Sequence, residues 1–212
     1  MHEFAAWPKT PRLFRDIVVT EKLDGTNAAI HITALTVESV PAAGWDAFPP
    51  ESYTLVVDGV RYILNAQSRT RLIYPGKSTD NFGFAAWVYD NAAELVKLLG
   101  EGLHFGEWWG RGIQRGYDLT ERRFSLFNVN KWGALMPQHV GEVLVSAVPV
   151  LYQGPNDTAA VKAMLRYLGD NGSVAAPGFR SPEGICVWHS AGGTVSKVTL
   201  DANDAGKWEV GA

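Results

Sequence analysis

A lysine closes an apolar strand and enters a turn that holds a carboxylate and a glycine in Glu21-Lys22-Leu23-Asp24-Gly25-Thr26-Asn27. A free lysine has a pKa of about 10.4, so only about one in 2,500 is neutral at pH 7. A nucleophilic lysine must therefore be desolvated or set beside other cations. A strand end buried against a nucleotide, with a metal ion nearby, would do this. Taken alone, the heptapeptide also fits a surface lysine beside a loop Asp-Gly.

Four further segments carry groups of the same chemical kind. Phe105-Gly106-Glu107-Trp108-Trp109-Gly110-Arg111-Gly112-Ile113-Gln114-Arg115-Gly116-Tyr117 has four glycines that allow close backbone approach to a ligand. It also sets Glu107 between aromatic residues, where an unpaired carboxylate would be costly. In Phe124-Ser125-Leu126-Phe127-Asn128-Val129, alternation puts Ser125, Phe127 and Val129 on one face. Phe127 then serves as core or as a ring for base stacking, which is typically worth about 1–3 kcal/mol. Pro182-Glu183-Gly184-Ile185-Cys186-Val187 places a carboxylate at a turn, with Lys197 on the returning strand. Gln67-Ser68-Arg69 follows a strand, and Arg69 can bind phosphate or face water.

Positioning these groups calls for a sizeable scaffold. The 212 residues are 46% hydrophobic and 19% charged, enough for a substantial core. Eight tryptophans exceed what such a core needs, which leaves some for a surface or a ligand. One cysteine, Cys186, excludes an internal disulfide, a cysteine zinc cage and a CxxC redox pair. The net charge of −3 argues against a broad electrostatic grip on nucleic acid, though not against a local basic groove. No signal-peptide pattern or membrane-length apolar run occurs, so a cytoplasmic protein with no membrane partner is expected.

Strands are read at Ile17–Leu23, Ala28–Leu35, Leu103–Trp109, Phe124–Val129 and Val143–Tyr152. Hairpins are read at Tyr53–Val57/Val60–Ala66, about Asp58-Gly59, and at Gly184–His189/Thr194–Leu200. Helices are expected over Phe84–Leu99, stopped by Gly100, and over Thr158–Leu168, capped by Asp157 and ended by Gly169. Residues 36–52, with Pro41, Gly44, Pro49 and Pro50, read as loop. The pattern is α+β, with mainly antiparallel sheets and flanking helices, in one domain spanning residues 1–212.

In this order, the five segments resemble the covalent nucleotidyltransferase superfamily of ATP-dependent ligases and capping enzymes. The likeness is strongest to the RNA ligase 2 family, which seals breaks in duplex RNA. Residues 21–27 look like its nucleotidyl-lysine motif, and Gln67-Ser68-Arg69 like the arginine motif. Phe105–Tyr117 is similar to the third motif and its loop, and Phe124–Val129 to the aromatic-bearing strand. Glu183-Gly184 resembles the Glu-Gly motif, and Lys197 the final lysine motif. The likeness spans about residues 17–200. Three departures stand out. Asn128 follows the phenylalanine where the family has Asp. Only Lys197 remains of a Lys-x-Lys pair. The last motif also lies near the end of the sequence, so no separate C-terminal domain of the kind family members often carry is expected.

The resemblance implies a nucleotidyltransferase (ATP-grasp-like ligase) domain acting as an ATP-dependent RNA ligase in RNA repair. Lys22 would take AMP from ATP, pass it to a 5′-phosphate end, and release it when a 3′-hydroxyl seals the join. It also implies Mg2+ or Mn2+, held by Glu183 and Glu107. Phe127 would stack on adenine, Glu107 bind the ribose, Arg69 lie near ribose and phosphate, and Lys197 contact the α-phosphate. Glu21, Asp24 and Asn27 would fix the nucleotide and Lys22. The partners would be nucleic acid ends, RNA first, with a partner protein as one way to make up for the missing domain. A DNA ligase, a GTP-using capping transferase and a non-catalytic nucleotide-binding relic are the competing readings.

Overall fold

The computed structural model describes residues 4–7, 9–36 and 52–201. The proline-bearing stretch expected to be loop lies almost wholly outside these. Twelve strands and four helices follow one another along the described chain. They are β1 (Asp16–Lys22), β2 (Thr26–Ala34), β3 (Ser52–Val57), β4 (Val60–Ser68), β5 (Leu72–Ile73), α1 (Phe84–Asp90), α2 (Ala92–Leu99) and β6 (Gly102–Gly110), then β7 (Arg122–Leu126), α3 (Val129–Trp132), β8 (Gln138–Val140), β9 (Val143–Ala147), β10 (Val150–Pro155), α4 (Thr158–Asn171), β11 (Gly184–His189) and β12 (Thr194–Thr199). No helix among the described residues is long and apolar enough to cross a membrane.

The chain divides into two compact units, one of Met1–Lys22 with Pro149–Ala212 and one of Leu23–Val148. The first is built on a four-stranded sheet of order β10-β1-β11-β12. Alternation along β1 turns Ile17 and Val19 to one face, where they form a core with Leu168 of α4 and Ile185 of β11. The second unit holds an eight-stranded sheet of order β3-β4-β2-β6-β7-β9-β8, with β5 added beside β4. The ladders are antiparallel except for β7 with β9, as the α+β reading expects.

Helices α1 and α2 bury one face of the larger sheet. Ile30 and Ile32 of β2, Leu64 of β4, Trp108 of β6 and Phe124 of β7 meet Phe84, Trp87, Val88 and Leu95 from the helices. Phe84 lies 5.4 Å from Trp108 and 5.2 Å from Phe124 between ring centroids, and Trp87 stacks on Trp108 at 5.3 Å. Such ring pairs contribute about 0.5–1.5 kcal/mol each beyond their burial. Trp87, Trp108, Trp109 and Trp132 are all buried, so half of the tryptophans serve the core.

Several elements differ from their sequence-based reading. The Asp58-Gly59 hairpin forms as expected, with φ of 49° and 81° at the two turn residues. Strands β1 and β2 lie in different sheets. The turn at residues 23–25 passes the chain from one sheet to the other, because each strand finds different partners. The single helix expected over 84–99 breaks at Asn91, whose side-chain amide and backbone N–H both bond the Trp87 carbonyl. The single strand expected over 143–152 is β9 in one sheet and β10 in the other, parted at Val148-Pro149, where proline cannot donate to a ladder. Helix α4 runs through Gly169 to Asn171 and stops at Gly172, which adopts the positive φ (86°) of a terminator. Asp157 caps it, as expected, by accepting from Ala159 N–H at 2.9 Å. Strand β7 ends at Leu126, and Asn128 begins α3 by accepting from Lys131 N–H. The departure to Asn at position 128 therefore keeps a side chain that caps a helix as well as Asp does.

Helix α1 has no capping side chain at its first residue. Instead, Asp80 accepts from the N–H groups of Asn81 (2.6 Å), Ala85 (2.8 Å) and Ala86 (3.0 Å). Asp80→Ala is expected to lower the unfolding free energy by about 1–2 kcal/mol. Urea denaturation reads this directly, and an unchanged midpoint would show that α1 does not depend on the carboxylate.

Candidate active site

Lys22 is the last residue of β1, in register with Gly184 at the start of β11. Its Nζ lies 2.6 Å from Glu183 Oε1, and the two side chains are only 22% and 15% exposed. A side chain at position 184 would collide with Thr199 Cα at 2.7 Å and with the Val198 carbonyl, so glycine is required between β1 and β12. Glu183 Oε2 is buried and has no hydrogen-bond partner. A carboxylate oxygen without a donor carries a desolvation cost that a ligand would relieve.

Register places Lys197 of β12 opposite Cys186 of β11, and Cys186 opposite Thr20 of β1. Because side chains two residues apart share a face, Lys197 lies on the Lys22 face. It is two strands over, about 10 Å in the hydrogen-bonding direction. Two residues on, Thr199 shares the row of Gly184 and Lys22.

Glu21 takes the opposite face and is 1% exposed. Its Oε1 accepts from Ser173 Oγ (2.6 Å), and its Oε2 accepts from the N–H groups of Val174 (2.8 Å) and Ala175 (2.9 Å). Ser173 Oγ in turn accepts from Ala176 N–H. The Glu21 carboxylate thus ties the end of β1 to the segment after α4. Ile17, Val19 and Glu21 share a parity, so the inward turn of this carboxylate follows from strand alternation.

In the larger unit, the sheet face away from the helices carries the other expected residues. One row across β2, β6 and β7 is Asn27, Glu107 and Ser125. Arg69 follows the last paired residue of β4 and is exposed at the tight turn from Ser68 to Arg71. The adjacent row is Gln67, Ala29 and Phe105. Phe127, which bonds the Phe105 carbonyl through its N–H, continues that row and is 38% exposed. A polar row of amide, carboxylate and hydroxyl thus runs beside a row bearing two exposed rings, with fully buried Ala29 as the floor. This arrangement suits a flat base beside a hydroxylated sugar.

Glu107 Oε1 accepts from Gly25 N–H at 3.1 Å. A Cβ on Gly25 would lie 2.7 Å from Trp109 Cβ and 3.1 Å from Glu107 Cγ, so lack of space, not φ, demands glycine there. Asp24 Oδ2 takes a bond from Arg115 Nε at 2.8 Å, and Asp24 N–H donates to the Tyr117 hydroxyl at 2.8 Å. Ser125 Oγ accepts from Trp109 Nε1 at 3.0 Å. The sequence reading did not single out Arg115, Tyr117, Ser125 or Ser173. Only Ser125 carried a signal, as the alternation partner of Phe127.

Among the described residues, no three His, Cys, Asp or Glu side chains cluster as a cage for a metal. The buried, unpartnered Glu183 Oε2 fits a Mg2+-type ion, which takes one or two carboxylates and completes its shell with water and phosphate oxygens.

Burial pushes the Glu21 carboxyl above its ordinary value of 4.5, and the bonds from Ser173, Ala175 and Val174 offset this only in part. The fold therefore binds this proton more tightly than the unfolded chain does. The resulting stability is fully present below 4.5 and is lost as pH rises through the elevated folded value. Relative to Glu21→Gln, the wild-type protein is expected to lose stability across that rise and then run parallel at higher pH. Denaturation curves at a series of pH values measure this, and a gain in relative stability over the same interval would refute it.

The family model described as RNA ligase matches residues 15–199. No curated protein matches the chain. Among solved structures, Naegleria gruberi RNA ligase in a lysine-to-methionine mutant with AMP and Mn is similar, with a TM-score of 0.51 and 16% identity. That likeness covers 92% of this chain and 52% of the other. An arginine-to-alanine mutant of Naegleria gruberi RNA ligase with ATP and Mn gives a TM-score of 0.50 at 16% identity, covering 89% of this chain and 50% of the other. The chain thus spans about half the length of these ligases, and the likeness is one of fold. With the family match running from before β1 to the end of β12, the chain belongs to the RNA ligase family.

Proposed function

We propose that the protein is an ATP-dependent RNA ligase that works through AMP carried on Lys22. The observation that carries this reading is the Lys22–Glu183 contact, a largely enclosed amine held by a carboxylate whose second oxygen is unpartnered. The structurally similar ligases with ATP and Mn, and with AMP and Mn, support the choice of nucleotide and of a divalent ion.

Lys22 Nζ, once it has given up a proton, attacks the α-phosphorus of ATP. The N–P bond forms as the bond to pyrophosphate breaks, and lysyl-AMP results. A 5′-phosphate oxygen of an RNA end then displaces the lysine and takes the AMP. A 3′-hydroxyl attacks that activated phosphate and releases AMP as the phosphodiester closes. Each step needs in-line geometry and neutralised charge more than acid–base chemistry.

Within this scheme, Glu183 orients the Lys22 amine, and Lys197 is the cation for the α-phosphate. Phe127 offers its exposed ring to adenine. Glu107 and Asn27, neighbours in one row, take ribose hydroxyls, with Arg69 beside them for ribose and phosphate. Asp24 fixes the turn that follows the lysine. Glu183 would hold the divalent cation, Mg2+ or Mn2+, through Oε2. Glu107, with Oε1 committed to Gly25, would assist from its own sheet. The cation, when bound, supplies charge neutralisation at the phosphate oxygens.

Incubation with α-labelled ATP and magnesium, followed by a denaturing gel, tests the first step. The wild-type band is expected to carry label, and Lys22→Ala none. Lys22→Arg should also carry none, because a guanidinium is not deprotonated in proteins. Glu183→Gln should slow labelling on the order of 10²-fold through a misplaced amine. A Lys22→Arg protein that still becomes labelled would remove this residue from the chemistry. Comparing nicked RNA with nicked DNA tests the substrate class, with RNA expected to be sealed faster.

A further inference from the structure

The segment that follows β6 is conformationally unusual. Three non-glycine residues, Gln114, Tyr117 and Asp118, adopt left-handed backbone with φ of 46°, 55° and 54°. Side chains with a Cβ avoid this region, and such strain persists only where the surroundings over-determine it. Here they do. Ile113 is fully buried and bridges back to Gly110. Tyr117 is 1% exposed and sets its ring edge-on against Trp109 at 4.8 Å between centroids.

Two side chains of the strained segment converge on Asp24. Tyr117 accepts the backbone N–H of Asp24, and Arg115 holds the Asp24 carboxylate, both at 2.8 Å. The next N–H, that of Gly25, goes to Glu107. The turn at 24–25 belongs to no strand ladder, so these bonds from residues about 90 positions away are what define its geometry. The left-handed backbone at Tyr117 carries both the ring on Trp109 and the hydroxyl at the Asp24 N–H. What the strain secures is the placement of the hydroxyl.

We infer that Arg115 and Tyr117 are positioning residues for adenylyl transfer, acting as a two-point clamp on Asp24. Tyr117 fixes the main chain and Arg115 fixes the carboxylate, so that the turn and the Glu107 bonded to it are preset for the nucleotide. Neither residue needs to touch the reacting atoms. The inference rests on the ligase reading above.

Tyr117→Phe removes only the hydroxyl and keeps the ring against Trp109, and Arg115→Gln removes the charge and the fork. Both are measured for the rate of protein labelling at saturating α-labelled ATP, for the ATP concentration giving half that rate, and for thermal unfolding. The expected result for each is a labelling rate at saturating ATP lowered by about tenfold or more, with an unfolding midpoint close to wild type. Arg115→Lys, which keeps the cation, should recover part of the loss. Arg115→Gln combined with Asp24→Asn should be no slower than the slower single variant, because both break one pair. Wild-type labelling rates in both Tyr117→Phe and Arg115→Gln would overturn the clamp and leave the ligase reading intact. Losses that simply track a lowered unfolding midpoint would overturn it too. A wild-type protein that takes no label would overturn the ligase reading, and the clamp with it.

Discussion

An amine and a carboxylate held 2.6 Å apart at the end of a strand set the terms for the rest of the molecule. Neither Lys22 nor Glu183 is well solvated, and an isolated charge in such a place would cost far more than the pair contributes. The register of β1 with β11 and β12 therefore has to be maintained. Glycine at 184 lets β12 approach β11 closely, and the fully buried Ile17, Val19, Ile185 and Leu168 hold the sheet from its other side. Slipping β1 by one residue would exchange Lys22 with Glu21 between the two faces, leaving a buried ammonium against α4 and an exposed core.

That parity separates two adjacent charged residues by environment. Glu21 is turned inward and satisfied by three donors from residues 173–175. Its neighbour is turned the other way, towards a carboxylate with an unpartnered oxygen. In the proposed reaction the first keeps its partners and the second exchanges them. In the larger unit the same alternation divides β6, so that Trp108 joins the aromatic core while Glu107 and Phe105 line the face away from the helices. The separate strata of that face, polar beside aromatic, come from pleat and register alone.

Much of this was legible in the amino-acid sequence. The hairpin at Asp58-Gly59, the cap at Asp157 and the strand that carries Lys22 rest on local rules, and local rules sufficed. The break at Asn91 and the sheet change at Pro149 were harder, because a helix period or an apolar run does not reveal which partner each half finds. The inward turn of Glu21 was available from the parity of Ile17 and Val19 but was masked by its place beside the lysine. Arg115 and Tyr117 were beyond reach. They sit in a glycine-rich stretch without periodicity, and the left-handed backbone of Tyr117 goes with contacts to Asp24 and Trp109 that no local pattern encodes.

The account turns on whether the Lys22 amine leaves Glu183 for phosphorus. A crystal structure with an α,β-methylene ATP analogue and magnesium tests this most directly, since the analogue keeps the α-phosphate but cannot release pyrophosphate. The account predicts Lys22 Nζ within about 3–3.5 Å of the α-phosphorus, opposite the bridging carbon. An analogue bound with its α-phosphate remote from Lys22, and with Nζ still on Glu183, would contradict it.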